Sequence, residues 1–250
     1  MIEEYLKKKF PLKDEVSNFK LGEWEKQKPK VLYKFMSLRE DELNKLYSIR
    51  NNKIWITNAC YLNDPFECAF KHKDIKCDIF SQEYKDFTNK VENISYEMKK
   101  ETYIASMTEK KNSVLMWSHY GDMHRGICVE YDFDELVKCE NINFILAPIN
   151  YKKRIPEIYP EGNLNWLYRV YTTKAEEWNY EHEWRILKQE KEYKKGFLID
   201  IIKPNCIYLG SEMDSNKKNQ IEEYFQGTDI EIRHMYKHPY NYEIICIEDV

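Results

Sequence analysis

Short strand-like runs recur along this chain and limit what it can fold into. KIWITN (53–58) alternates its side chains between two faces, with Ile54 and Ile56 on one and Trp55 and Thr57 on the other. GICVEYD (126–132) and HEWRILKQ (182–189) are further strands, whereas 81–100, 112–122 and 164–178 have helical patterns. Because strands and helices do not alternate strictly, the sequence predicts an α+β fold with mixed or antiparallel sheets and flanking helices.

The order of these patterns predicts one domain. Residues 1–30 are charged and lack a sustained period, so we expect a short helical lead-in. Residues 31–250 contain no repeat and no linker rich in Gly, Ser or Pro, so they are predicted to form a single α+β domain.

Charge and composition exclude several classes of protein. The net charge is -4 and aromatic residues make up 15% of the chain, which is incompatible with intrinsic disorder. The sequence contains no run of about 18 apolar residues, so it predicts no membrane span, and the N-terminus has no signal-peptide pattern. The seven cysteines include no C-x-x-C pair, and Cys128 and Cys246 lie in apolar strands, which is typical of buried free thiols. We therefore expect a cytoplasmic protein without membrane contact.

Several familiar sites are absent from the sequence. There is no Rossmann glycine motif, no P-loop and no G-x-S-x-G. His234 and His238 follow a strand-like run, where an extended chain separates them by about 13 Å, too far to share one metal ion. No metal site is predicted. A nuclease that combines Asp64 with Glu192 and Lys194 is a weak alternative, because this spacing arises easily by chance in a chain rich in Glu and Lys.

Four segments carry polar or aromatic residues where a core would require aliphatic ones. They are LYKF (32–35), LNDPFE (62–67), MWSHYG (116–121) and WNYEHEWR (178–185). In this order and at these separations they resemble a bacterial family called domain of unknown function 2971, over about residues 30 to 245. The order of the segments is also similar to that of the ADP-ribosyltransferase superfamily, whose members bind NAD in a cleft of a split sheet without Rossmann glycines.

The second resemblance implies an enzyme that consumes NAD as its substrate, as a transferase or a glycohydrolase. Some bacterial members of that superfamily are toxins in phage defence. Breaking the bond between nicotinamide and ribose passes through an oxocarbenium-like transition state, which a carboxylate stabilises. The resemblance implies that Glu183 holds the ribose and that Glu181 orients or deprotonates the acceptor. On a strand the two carboxylates would share a face, about 6.5 Å apart.

The remaining residues of the segments are expected to bind the cofactor. Lys34 would supply a cation near the pyrophosphate, and Tyr120, with Trp117 beside it, would stack on nicotinamide. Ser118 and His119 would form hydrogen bonds to the cofactor or the acceptor. Tyr33, Asn63, Asp64 and Arg185 complete the expected cofactor-binding set.

Structural explanations exist for the same residues. Trp117 and Tyr120 lie three residues apart on a predicted helix, a spacing that is also typical of core packing. Glu181 and Glu183 would form ion pairs with Arg185 and Lys174 on a surface strand. The segment 63–65 reads as a turn.

At the level of function, the alternative is a non-catalytic sensor module of a defence system that binds a nucleotide or a peptide. The acceptor of the enzyme, whether nucleic acid, protein or water, and the oligomeric state stay open.

Overall fold

The computed structural model describes residues 28–72, 80–138, 145–158 and 165–247. Its strands are β1 (Val31–Met36), β2 (Lys53–Asn58), β3 (Lys71–His72), β4 (Thr102–Thr108), β5 (Ile127–Asp132), β6 (Ile145–Pro148), β7 (Asn150–Lys152), β8 (Glu157–Ile158), β9 (Thr173–Ala175), β10 (Glu183–Gln189), β11 (Gly196–Asp200), β12 (Cys206–Leu209), β13 (Glu231–Lys237) and β14 (Ile244–Cys246). Its α-helices are α1 (Glu42–Arg50), α2 (Gln82–Lys100), α3 (Val114–His119), α4 (Phe133–Lys138), α5 (Asn165–Tyr171) and α6 (Ser215–Phe225). Short 3-10 helices span Ala59–Tyr61 and Glu176–Glu181.

Ten of the strands form one open sheet. Eight follow the order β11-β2-β4-β1-β5-β12-β13-β14, and β10 joins the sheet beside β4 with β6 on its outer side. Every pair in this sheet is antiparallel except β12 with β13. The predicted α+β class with mixed or antiparallel sheets is therefore confirmed.

The sheet splits along one edge of β4. The whole of β4 pairs with β10 on one side. On the other side, β2 is in register only with Tyr103 and Ile104, and β1 only with Thr108. Residues 105–107 consequently face a gap between β1 and β2. A backbone carbonyl in such a gap has lost its partner strand and needs another donor.

The two faces of the sheet are covered differently. One face carries a continuous apolar cluster that includes Leu32, Met107, Trp184 and Ile186. The opposite face carries two separate clusters. One contains Ile104, Leu187, Val170 and Phe70, and the other contains Tyr33, Phe35, Trp117, Cys128 and Cys246. Because side chains alternate along a strand, Ser106, Thr108, Glu183 and Arg185 project from this second face, between its two clusters.

Local structure departs from the sequence prediction most clearly before β10. The predicted helix over 164–178 ends at Tyr171, and the short strand β9 and a 3-10 helix replace its second half. The predicted helix over 112–122 is the shorter α3, capped by the Ser113 hydroxyl, which accepts from the backbone N–H of Met116. The predicted lead-in over 1–30 lies outside the described residues up to residue 27. None of the helices in the described ranges is long and apolar enough to cross a membrane.

Candidate functional site

A polar cavity of about 180 Å³ lies at the gap between β1 and β2. Its walls come from β1, β2, β4, β9, β10, α3, the second 3-10 helix and the segment that follows the first 3-10 helix. The polar side chains among its lining are Tyr33, Lys34, Thr57, Asn63, Glu67, Ser106, Thr108, Tyr120, Lys174, Glu181, Glu183 and Arg185. Segments that are distant in the sequence therefore meet at one place on the sheet.

Arg185 anchors a buried network of charges beside the cavity. Its guanidinium donates to both oxygens of Glu67, at 2.5 and 2.9 Å, and to both oxygens of Glu183, at 2.9 and 3.2 Å. A fifth bond, of 2.9 Å, goes to the carbonyl of Tyr171. All five N–H groups of a guanidinium are thus used. Arg185 is only 1% exposed, so the prediction of a charge cluster on a surface strand is wrong.

Lys174 joins the two carboxylates that the sequence analysis singled out. Its ammonium lies 2.5 Å from Oε2 of Glu181 and 3.0 Å from Oε2 of Glu183. The ammonium also lies over the ring of Trp178, 4.9 Å from its centroid. The ion pairs expected for Glu181 and Glu183 thus exist, but in the interior, where Coulomb attraction is stronger than at a surface.

The charges of this network do not balance. Three carboxylates (Glu67, Glu181 and Glu183) share two cations (Lys174 and Arg185). Burial acts to raise the pKa of Glu183, but Arg185 and Lys174 lie against it and lower its pKa to about 2. Burial raises the pKa of Glu181, and Lys174 opposes this only in part. Glu181 is therefore the carboxyl of the pair that takes up a proton more readily.

Tyr120 is the second partner of Glu181. Its hydroxyl donates to Oε1 of Glu181 at 2.5 Å, and the side-chain amide of Asn63 donates to the same hydroxyl at 3.4 Å. Burial and the neighbouring carboxylate raise the pKa of Tyr120, so the phenol keeps its proton. Tyr120 and Glu181 form a pair in which a proton is held between two oxygens at the cavity wall.

Lys34 supplies the cavity with a cation that has no carboxylate partner among the described residues. Its ammonium donates to the carbonyl of Ser106 at 3.1 Å, which satisfies the backbone of β4 where neither β1 nor β2 pairs with it. Burial lowers the pKa of Lys34 to about 8, against the attraction of Glu183. A lysine in this position attracts an anionic group of a ligand.

The arrangement of Glu181 and Glu183 differs from the predicted one. The two residues were expected on one strand, but Glu181 ends a 3-10 helix and β10 begins at Glu183. His182 between them has a φ of 44°, in the left-handed region. The carboxylates nevertheless converge, because Lys174 bonds to both.

Two of the expected cofactor-binding residues on α3 do not line the cavity. Trp117 is fully buried in the third apolar cluster, where its ring packs edge-on against Phe35 and its N–H donates to the carbonyl of Lys111. Ser118 points elsewhere and donates to the carbonyl of Val114. For Trp117 the packing explanation is the right one, since a helical spacing cannot tell a core face from a ligand face.

His119 and Asp64 also lie away from the lining. A ring nitrogen of His119 is 2.9 Å from the hydroxyl of Tyr180 at the surface. Asp64 is buried and accepts a 2.8 Å bond from the backbone N–H of Phe66, as in the predicted turn. The structure thus brings Tyr33, Lys34, Asn63, Tyr120, Glu181, Glu183 and Arg185 to the cavity, and not Trp117, Ser118, His119 or Asp64.

Sequence reasoning assigned no site role to Glu67, Lys174, Ser106 or Thr57. One signal could have found Glu67 and Lys174. The run WRIL places Arg185 inside an apolar strand, and a buried arginine together with nearby carboxylates requires charged partners. Ser106 and Thr57 gave no such signal, because single hydroxyl residues are common in strands.

One comparison with known proteins bears on this site. Residues 116–186 match the model of a family described as protein of unknown function (DUF2971). The DUF2971 segment runs from α3 into β10 and carries Tyr120, Lys174, Glu181, Glu183 and Arg185. Lys34, Asn63 and Glu67, which complete the cavity, precede it. No curated protein and no solved structure matches the chain.

Proposed function

We propose that this protein is an ADP-ribosyltransferase-like enzyme that cleaves the bond between nicotinamide and ribose in NAD. One observation carries the proposal: a surplus buried carboxylate and an ammonium without a carboxylate partner line the same cavity of a split sheet. NAD has the complementary charges, since its reacting ribose becomes positive while its pyrophosphate is negative.

The chemistry follows from these charges. When the C1′–N bond breaks, nicotinamide leaves as a neutral molecule with the bonding electron pair, and positive charge develops on the ribose. A carboxylate at the cavity wall stabilises that charge. The nucleophile then attacks C1′ and gives up its proton to a base. Lys34 holds the pyrophosphate, and the acceptor is water, a protein or a nucleic acid.

The contacts favour a different division of labour between the two glutamates from that implied by the resemblance. Both oxygens of Glu183 are bonded to Arg185 and one also to Lys174, so Glu183 acts as a fixed negative charge. Glu181 has the raised pKa, which suits a residue that accepts the proton of the nucleophile. The hydroxyl of Tyr120 holds Glu181 in orientation.

The test is nicotinamide release from NAD by wild type and Glu181→Gln. We expect the substitution to lower turnover about a hundred- to ten-thousandfold, as for the loss of a general base. The glutamine keeps the bond from Tyr120, so the fold should persist. Glu177→Gln is the matched control, because Glu177 is an exposed residue of the same 3-10 helix.

Two outcomes would contradict the proposal. Undiminished turnover in folded Glu181→Gln would remove Glu181 from the mechanism. The absence of nicotinamide release by wild type, with nucleic-acid and protein acceptors present, would contradict the proposed activity itself.

A toxin that consumes NAD should also arrest the growth of the cells that express it. We expect Glu181→Gln to relieve that arrest.

The alternative is a module that binds a nucleotide or a peptide without chemistry. A specific observation favours it: Glu183 is saturated with hydrogen bonds from Arg185 and Lys174, as expected of a residue that holds the fold together. Such a module would bind NAD or ADP-ribose and leave the nicotinamide–ribose bond intact.

A further inference from the structure

An exposed indole lies beside the cavity. Trp55 on β2 is 46% exposed, although its strand neighbours Ile54 and Ile56 are buried. Trp55 is in register with Leu198 of the neighbouring strand β11, and its ring reaches along that strand to Gly196. A Cβ atom added to Gly196 would come within 2.6 and 2.7 Å of two ring atoms of Trp55. The ring therefore lies against the backbone of β11, and nearly half of the residue's surface stays exposed to solvent.

The orientation of this ring is fixed at the cavity rim. The indole N–H donates to the hydroxyl of Thr57 at 3.1 Å, and Thr57 is one of the residues that line the cavity. The only hydrogen-bond donor of the indole is thereby used within the protein. What remains available to a ligand is the aromatic face, and a tryptophan face binds planar rings by stacking.

The size of the cavity requires a part of any dinucleotide to lie outside it. Its volume of about 180 Å³ is below the range of about 300–1,000 Å³ of complete ligand pockets. The carboxylates beside it suit the ribose that reacts, so the adenosine half of NAD has to extend over the rim. Lys34 on β1 and Thr57 on β2 stand on the two sides of the gap, and Trp55 follows on the β2 side.

We propose that Trp55 stacks on the adenine ring of the substrate. This inference rests on the proposed function for the identity of the ligand, but it concerns binding and not cleavage. The pyrophosphate lies at Lys34, between the ribose in the cavity and the adenine on the indole. Trp55 is then a specificity-determining residue that selects nucleotides over free ribosyl compounds.

The experiment measures ADP binding by calorimetry and the KM for NAD in Trp55→Ala, Trp55→Phe and wild type. The free energy of stacking on one base is large enough that Trp55→Ala should weaken ADP binding about tenfold. The KM for NAD should rise to a similar extent, with kcat little changed. Trp55→Phe keeps an aromatic face and should retain most of the affinity. Tyr240→Ala removes a 92% exposed ring near the opposite end of the sheet and should leave binding unchanged.

The outcomes separate this inference from the proposed function. Weakened ADP binding in Trp55→Ala supports the stacking site even when wild type releases no nicotinamide. Equal ADP affinity in wild type and Trp55→Ala, or no ADP binding by either, overturns it even when wild type cleaves NAD. The substitution is at an exposed position, so the thermal midpoint of Trp55→Ala should stay close to that of wild type.

Discussion

At the scale of single residues, the cavity depends on how charges are accommodated in the interior. Arg185 is buried with every N–H bonded, and its carboxylate partners Glu67 and Glu183 are equally enclosed. A buried ion costs several kcal/mol to dehydrate, and only matched partners offset that cost. Glu181 is the one carboxylate of the set that Arg185 does not bond, and burial raises its pKa. The two glutamates should therefore respond in opposite directions to loss of charge.

We expect Glu183→Gln and Glu181→Gln to differ in stability at neutral pH. The pKa of Glu183 is lowered from its ordinary value of 4.5 to about 2, so its ionised form stabilises the fold above pH 4.5. Loss of that charge should cost on the order of 3 kcal/mol in the free energy of unfolding. The pKa of Glu181 is raised, so its ionised form destabilises the fold, and Glu181→Gln should cost nothing or stabilise. Urea denaturation at pH 7 measures both.

The pH dependence gives the control. As the pH falls from 4.5 toward 2, wild type loses the stabilisation from Glu183, because the unfolded chain binds the proton first. The difference between wild type and Glu183→Gln should shrink over that range. A difference that stays constant down to pH 2 would contradict the assigned ionisation of Glu183.

At the scale of elements, β4 determines where the cavity lies. One edge of β4 is fully paired with β10, and the other is shared between β2 and β1 with a gap at 105–107. Ser106, in the middle of the strand, is exposed although its strand neighbours are buried. The hydroxyl of Ser106 bonds to Glu183, and its carbonyl accepts from Lys34. The side chain of Ser106 therefore lies on the floor of the cavity.

Filling that floor should block the site and preserve the fold. In Ser106→Val the added methyl groups occupy cavity volume, and a β-branched side chain suits a strand. We expect NAD to bind at least tenfold more weakly, because its reacting ribose enters the cavity, with a thermal midpoint near that of wild type. Ser106→Ala removes the same hydroxyl without adding volume, so it should bind better than Ser106→Val. Equal binding by the two variants would show that ligands do not reach this floor.

The sequence predicted the strands better than the segments between them. The cores of β2, β5 and β10 were predicted because alternation and apolar runs leave a clear pattern. The 3-10 helix before β10 was not, since its aromatic and acidic residues fit a helix or a loop equally well. Its left-handed end at His182 depends on tertiary contacts. Positions at the cavity followed the same rule. Glu183 lies on a well-predicted strand, whereas Trp117 and Ser118 share a short helix, and the pattern does not reveal which side of that helix faces the cavity.

At the scale of the whole molecule, the open sheet connects the cavity to every apolar cluster. The first cluster covers one face and the other two cover the opposite face on either side of the cavity. The strands of the sheet come from both ends of the described chain, since β1 pairs with β5 and β12 joins β5 to β13. The three clusters cannot separate without breaking the sheet.

We therefore expect one cooperative unfolding transition, as the predicted single domain requires. Tryptophan fluorescence and far-UV circular dichroism should give the same midpoint in urea. Trp184 lies in the first cluster, Trp166 packs against the second and Trp117 lies in the third, so the fluorescence samples all of them. Two separated transitions would mean that the halves of the sheet unfold independently.

The bond between Arg185 and Glu67 joins residues 118 positions apart in the chain. A ribosome adds roughly 5–20 residues per second, so about 6 to 24 s pass between the synthesis of Glu67 and that of Arg185. Throughout that interval Glu67 belongs to a nascent chain in which its partner does not yet exist. The edge strand β11, which pairs with β2, is synthesised later still. A growing polypeptide therefore cannot close this network of buried charges before Arg185 has been synthesised.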